Sequence, residues 1–174
     1  MNLKSSMTLE KDFAKVICNF AKDKEHLFKI NGYGRRYYST LDSDEKINNY
    51  LNATRQLCLK TLDIDQFEEE PCFGIFIGVN TNSGAVHEHT DPTKDGYVHF
   101  RLNFLVSKPN GGGVPVVNGK MIDVKELESW INCASQWPHK STPVIGSKPR
   151  IVLSFGALIT EKQAEKVIKK CNTY

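Results

Sequence analysis

The chain has no pair of cysteines spaced to clamp a zinc ion and no apolar run long enough to cross a bilayer. Its five cysteines (Cys18, Cys58, Cys72, Cys133 and Cys171) are scattered through 174 residues without a CxxC spacing, and their number is odd. That excludes a zinc–thiolate ribbon and a disulfide framework, and leads to the expectation of reduced thiols in a cytoplasmic compartment. A membrane span needs roughly 18 to 20 apolar residues, and no segment approaches this, so no membrane partner is expected. The opening Met1-Asn2-Leu3-Lys4-Ser5-Ser6 lacks the apolar stretch of a signal peptide behind its charge. Charge of one sign is also scarce. The formal net charge is +3, and the densest basic segment, Lys162 to Lys170, is broken by Glu165 and apolar residues. It reads as the wet face of a helix, not as a nucleic-acid surface. Gly111-Gly112-Gly113 has no Lys-Ser/Thr after it and therefore does not make a phosphate loop.

What is present is ordinary for a globular protein: 40% hydrophobic and 25% charged residues, without repeats or low-complexity linkers. The length suits one domain, 1–174, with a sizeable core. The hydrophobic period changes once. Residues 1–70 read as supporting helices and a loop. Thr8 is a plausible cap for a helix carrying Leu9, Phe13, Val16, Ile17 and Phe20 at helical spacing. Asn31-Gly32 and Gly34 mark a turn-rich stretch that holds Tyr33, Arg35, Arg36, Tyr37 and Tyr38. Asp42 with Glu45 has the spacing of a capping box ahead of Ile47, Tyr50, Leu51, Leu57 and Leu59.

From about residue 72 the pattern becomes short strands separated by turns. Phe73 to Val79 is β-branched and aromatic, and it ends in Asn80, Asn82, Ser83 and Gly84. His99, Arg101 and Asn103 alternate with Phe100, Leu102 and Phe104, which puts a polar and an apolar face on one strand. Asn118-Gly119, between Pro115-Val116-Val117 and Met121-Ile122-Asp123-Val124, is a hairpin signal. Ser129 to Ala134 and Pro149 to Leu158 give two further strands, and Thr160 with Gln163 caps a final helix, 160–174. No helical segment is evident between successive strands, so a βαβ fold is disfavoured. The pattern indicates a mainly β sandwich or barrel with flanking helices.

The chemistry concentrates in two segments. In His87-Glu88-His89-Thr90-Asp91, positions 89 and 91 project to the same side of an extended chain, so an imidazole and a carboxylate can grip one metal. A third ligand from elsewhere would complete a two-histidine, one-carboxylate face with open positions, the pattern of non-haem iron(II) oxygenases. The second segment runs from His139 through Pro143-Val144-Ile145-Gly146 to Arg150, Val152 and Ser154. Arg150 and Ser154 share a strand face, and a guanidinium with a hydroxyl suits a carboxylate. A buried arginine without a partner is costly, so an anion is expected to occupy that place.

These motifs together resemble the double-stranded β-helix family of 2-oxoglutarate/Fe(II)-dependent oxygenases, in its prolyl-hydroxylase-like branch. His89-Thr90-Asp91, the distal His139, the Pro143–Gly146 turn and Arg150 match that family's pattern in order and spacing. The match covers roughly 72–159. The resemblance implies a jelly-roll core with iron(II) on His89, Asp91 and His139. It also implies 2-oxoglutarate held by Arg150, with Ser154 and Asn103 assisting. It further implies dioxygen as oxidant, ascorbate as a possible reductant, and hydroxylation of a small-molecule or peptide substrate with release of succinate and carbon dioxide. Arg101 and Tyr97 are candidates for substrate contact. An intact carboxylate at Asp91 favours hydroxylation over halogenation. One departure stands out: many relatives carry a tyrosine on the strand before HxD, and here that strand, Phe73 to Asn80, has none. Asn80, Asn103 or Tyr97 could substitute. A cupin-type metalloprotein using His87, His89 and His139, or a silent binding module, remain the competing readings; a cupin would not need Arg150.

Overall fold

The computed structural model describes residues 3–42 and 45–172. The chain begins with β1 (Lys4–Thr8), α1 (Lys11–Asp23), β2 (Lys29–Ile30), β3 (Arg35–Ser39) and α2 (Ile47–Thr61). The β-rich part follows as β4 (Ile75–Asn80), β5 (Tyr97–Ser107), β6 (Gly111–Gly112), β7 (Pro115–Val117) and β8 (Lys120–Met121). It is completed by β9 (Glu128–Cys133), β10 (His139–Ser141), β11 (Val144–Ile145), β12 (Arg150–Thr160) and α3 (Glu161–Asn172). Seven strands form one sheet in the order β1-β9-β5-β12-β4-β3-β2, and β10-β7-β8 and β11-β6 form two small sheets. All pairings are antiparallel. This is a double-stranded β-helix with helices on the outside.

Period-2 alternation decides which side of the large sheet is core. Phe100, Leu102 and Phe104 of β5, Leu153 and Phe155 of β12, and Ile75 and Ile77 of β4 are essentially inaccessible to solvent. They meet Phe13 and Ile17 of α1, Leu51 and Leu59 of α2, and Ala164 and Val167 of α3, within one apolar cluster. Each such large side chain stabilises the fold by about 1.5–3 kcal/mol through burial. The helices thus cover one face of the sheet, and the other face is left for the site.

Several local expectations fail in the first 65 or so residues. Strands β1, β2 and β3 extend both edges of the large sheet where helices and loop were expected. Thr8 does not cap α1; it pairs with Glu128, and the helix starts after Glu10 with no side-chain cap. Asp42 does not open α2, which follows Lys46 without a side-chain cap, and Asp42 instead pairs with Lys29 at 3.0 Å. Within α2 the buried stripe is Leu51, Arg55 and Leu59, while Tyr50 and Leu57 face outward. Arg55 is buried because Glu69 grips it twice, at 2.7 Å from each oxygen, a pairing invisible to apolar periodicity. Helix α2 also sits between β3 and β4, but that pair is antiparallel, so no βαβ unit results.

Other local signals hold. Asn118 and Gly119 both adopt positive φ, 49° and 72°, in the two-residue turn joining β7 to β8. Thr160 and Gln163 exchange backbone–side-chain hydrogen bonds at the start of α3. All five cysteines are free, and no helix among the described residues is long and apolar enough to cross a membrane.

Candidate metal centre and anion pocket

The inner face of the large sheet and the small sheets enclose a cavity. Its floor carries Asn103 and Arg101 of β5, Arg150 and Val152 of β12, Phe76 and Asn80 of β4, and Trp130 of β9. Its opposite wall carries Val86, His89, Asp91, Val117, His139 and Ser141.

Backbone pairing brings the three candidate ligands together. His89 and His139 form an isolated antiparallel bridge, exchanging hydrogen bonds of 3.2 and 2.9 Å. The Asp91 amide donates to the Ala134 carbonyl at 2.8 Å. The side chains then converge: Asp91 Oδ1 lies 3.6 Å from His89 Nε2 and 3.9 Å from His139 Nε2. One ligand atom from each residue lies within 4.8 Å of the others. Both imidazoles are oriented by main-chain carbonyls. His89 Nδ1 donates to the His87 carbonyl at 2.8 Å, and His139 Nδ1 to the Trp137 carbonyl at 3.1 Å. That fixes the tautomer and leaves each Nε2 lone pair for a metal. Burial, partly opposed by the Trp137 hydrogen bond, lowers the His139 pKa and keeps the ring neutral, the form that ligates.

Asp91 is held from behind. Arg101 Nε donates to Asp91 Oδ2 at 3.3 Å, so Oδ1 is the oxygen turned towards the histidines. The same guanidinium donates to Glu70 Oε2 at 2.6 Å and to the Ser154 hydroxyl at 3.4 Å. Glu70 is fully buried and also accepts from the amides of Cys72, Phe73 and Gly74. Burial raises the Glu70 pKa, but Arg101 and the hydrogen bonds outweigh it, and the net shift is downward. His99 Nδ1 faces Glu70 at 3.5 Å without an aligned hydrogen bond.

Arg150 is the opposite case. It is 6% exposed, its Nε has no partner, and its side chain makes no hydrogen bond or ion pair with any described residue. Its guanidinium lies 5.9 Å from the Trp130 ring centroid, within cation–π range. Burial, together with the nearby Arg35 charge, pushes its pKa down to about 10. Room for this side chain comes from the glycine run. A Cβ on Gly113, at φ 63°, would lie 2.9 Å from Arg150 Cδ, and one on Gly112 would lie 1.9 Å from the Pro143 carbonyl. Gly112 and Gly113 therefore let the chain pack on β11 and beside Arg150, a role that their spacing does not reveal.

Two expected contributors lie elsewhere. Ser154 shares the face of Arg150, but four residues of strand separate them by about 13 Å at 3.3 Å per residue, and its hydroxyl accepts from Arg101. Tyr97 does not line the cavity; its hydroxyl donates to Glu68 at 2.5 Å, beside Lys94. Arg101 does face the cavity, but its guanidinium is taken up by protein acceptors. Asn103 lines the cavity, with Nδ2 3.5 Å from the Trp130 carbonyl. The His87 ring is outside the ligand cluster, which removes the three-histidine alternative. Glu88 pairs with Lys140 at 3.1 Å, away from the metal position. The sequence does not reveal Glu70, whereas Arg35, expected in a turn-rich cluster, lines the cavity from β3. Nothing near Glu70 in sequence marks it; only its amide-lined turn and Arg101 reveal its role.

A double-stranded β-helix is also the fold of prolyl-hydroxylase-like 2-oxoglutarate/iron(II) oxygenases. Three solved structures share it at low identity. A prolyl-4-hydroxylase from Pseudomonas putida has a TM-score of 0.63 at 16% identity, with 92% of this chain and 94% of that one covered. A prolyl hydroxylase from Trichoplax adhaerens, in complex with a hypoxia inducible factor oxygen degradation domain peptide fragment, has a TM-score of 0.66 at 12% identity over 93% and 84%. HygX from Streptomyces hygroscopicus, with nickel and 2-oxoglutarate bound, has a TM-score of 0.58 at 12% identity over 83% and 78%. No protein-family model matches the sequence, and no curated protein matches it.

Proposed function

We propose that this protein is an iron(II)- and 2-oxoglutarate-dependent dioxygenase that hydroxylates a peptidyl side chain or a small molecule, releasing succinate and carbon dioxide. The observation that carries this reading is one cavity lined both by a two-histidine, one-carboxylate ligand set and by a buried arginine that no described protein carboxylate pairs. The donor set fits iron(II): three ligands on one side leave room for a chelating 2-oxo acid and dioxygen. The arginine fits the far carboxylate of that acid. The peptide-bound neighbour from Trichoplax supports a peptidyl substrate.

When bound, the metal with its cosubstrate and dioxygen supplies the oxidising power for C–H hydroxylation. The chain's own residues bind, orient and shield. His89 and His139 present Nε2 in a fixed tautomer, and Asp91 presents Oδ1 while Arg101 restrains Oδ2. Arg150 receives the distal carboxylate and so sets the direction in which the 2-oxo acid lies. Trp130, Phe76, Val117 and Val152 supply apolar walls that exclude water and strengthen these contacts.

The test is succinate formation by protein supplied with iron(II), ascorbate, 2-oxoglutarate and air, beside a His139→Ala variant. Slow turnover without substrate, lost in the variant, is expected. No succinate from metal-loaded, folded protein, with no 2-oxoglutarate binding, would overturn the reading.

A further inference from the structure

Arg35, Asn80 and Arg150 stand opposite one another on three adjacent strands. Arg35 pairs with Asn80 across β3–β4, and Arg150 pairs with Asn80 across β4–β12. Directly opposed residues project to the same face, and all three line the cavity. None has found an acceptor. Asn80 is 4% exposed with Nδ2 unpartnered, and Arg150 Nε is unpartnered as well. The Arg35 guanidinium makes no hydrogen bond or ion pair with any described residue, although burial already lowers its pKa.

The charge inventory of the cavity singles out this row. Arg36 is paired with Glu25, Lys140 with Glu88, and Arg101 with Glu70 and Asp91. The uncompensated cations among the described cavity residues are Arg35 and Arg150, close enough for one to depress the other's pKa. Two like charges with an amide between them and no anion form an arrangement that a bound carboxylate would stabilise. An ionised carboxylate offers two oxygens and about four acceptor sites, enough for two guanidinium groups and one amide.

We propose that Arg35 and Asn80 join Arg150 in gripping the distal carboxylate of the 2-oxo acid. The inference rests on the proposed function and deepens it. Of the substitutes considered from sequence, Tyr97 lies outside the cavity and Asn103 points to the Trp130 carbonyl, whereas Asn80 is unpartnered in the row. The neutral amide bridges the gap between the two cations. The consequence is selectivity for a 2-oxo acid with a charged tail.

The experiment is calorimetric titration of the Mn(II)-loaded chain with 2-oxoglutarate and with 2-oxopentanoate, which has the same chelating end and an uncharged tail. Wild type, Arg35→Gln, Arg35→Lys, Asn80→Ser and Arg150→Gln are compared, each with its thermal unfolding midpoint. Loss of a charge-assisted contact is expected to weaken 2-oxoglutarate about tenfold or more in Arg35→Gln. Binding of 2-oxopentanoate should change by less than about twofold, because its tail makes no such contact. Arg35→Lys should recover part of the loss, since it keeps the charge without the fork. Unchanged 2-oxoglutarate affinity in Arg35→Gln, with a large loss in Arg150→Gln, would overturn this inference and leave the proposed function standing. Equal losses for both acids, with a lowered unfolding midpoint, would also overturn it by showing a structural role. Failure of wild type to bind 2-oxoglutarate would overturn both.

Discussion

Two arginines on neighbouring strands face the same cavity and are buried almost equally, Arg101 at 4% and Arg150 at 6% exposure, yet they are treated in opposite ways. Arg101 is met by Glu70, Asp91 and Ser154. The Arg150 guanidinium faces the Trp130 ring and has no acceptor among the described residues. A buried charge that the protein neutralises is scaffold, and here it sets the orientation of a candidate ligand carboxylate. A buried charge left without a partner costs stability, and it marks the place where a ligand completes the electrostatics. The comparison separates support from reception within one layer of side chains.

The largest effect should follow from breaking the paired side. Glu70→Ala leaves Arg101 buried without its main partner and should destabilise the fold by about 3–5 kcal/mol in denaturant unfolding. Because the Glu70 pKa is depressed in the folded state, its contribution is present above the ordinary carboxylate range. It should fade as pH falls through the depressed value, giving acid-sensitive stability that Glu70→Gln lacks. Next in size is Gly113→Ala, which imposes a Cβ at positive φ beside Arg150. We expect a loss of about 1–3 kcal/mol together with weaker 2-oxoglutarate binding, measured by unfolding and calorimetry.

Breaking the unpaired side should do the reverse. Arg150→Met removes an uncompensated buried cation and should leave stability unchanged or raise it by about 1–2 kcal/mol, while 2-oxoglutarate affinity collapses. Loss of stability in this variant would mean that Arg150 has a protein partner after all, and the comparison would fail. The smallest effect should come from Ser154→Ala. Its hydroxyl serves Arg101 through a long contact, so stability should fall by about 1 kcal/mol or less and 2-oxoglutarate affinity should stay within about twofold.

The same contrast explains what the sequence could reveal. The clustering of His89, Asp91 and His139 was legible because short-range spacing on extended chain places two of the three side chains, and Arg150 lines the same cavity as the strand pattern led one to expect. The hairpin at Asn118-Gly119 and the cap of α3 were legible for a similar reason: the physics is local. The contact of Ser154 with Arg101 was not legible, because sharing a strand face says nothing about separation along it. Glu70 and the buried Arg55 were hidden because their roles arise from long-range pairing, across strands or between a helix and a turn. Strands β1, β2 and β3 were missed because short strands at or next to the sheet edges, rich in Lys, Arg and Ser, lack the apolar alternation of a central strand.

The most direct test of the central claim is an anaerobic titration of iron(II)-loaded protein with 2-oxoglutarate, followed by visible absorption. The account expects a metal-to-ligand charge-transfer band to grow to saturation in wild type. The band should be absent in His139→Ala and should appear only at much higher 2-oxoglutarate in Arg150→Met. Folded, iron-loaded wild type that develops no band and takes up no 2-oxoglutarate would contradict it.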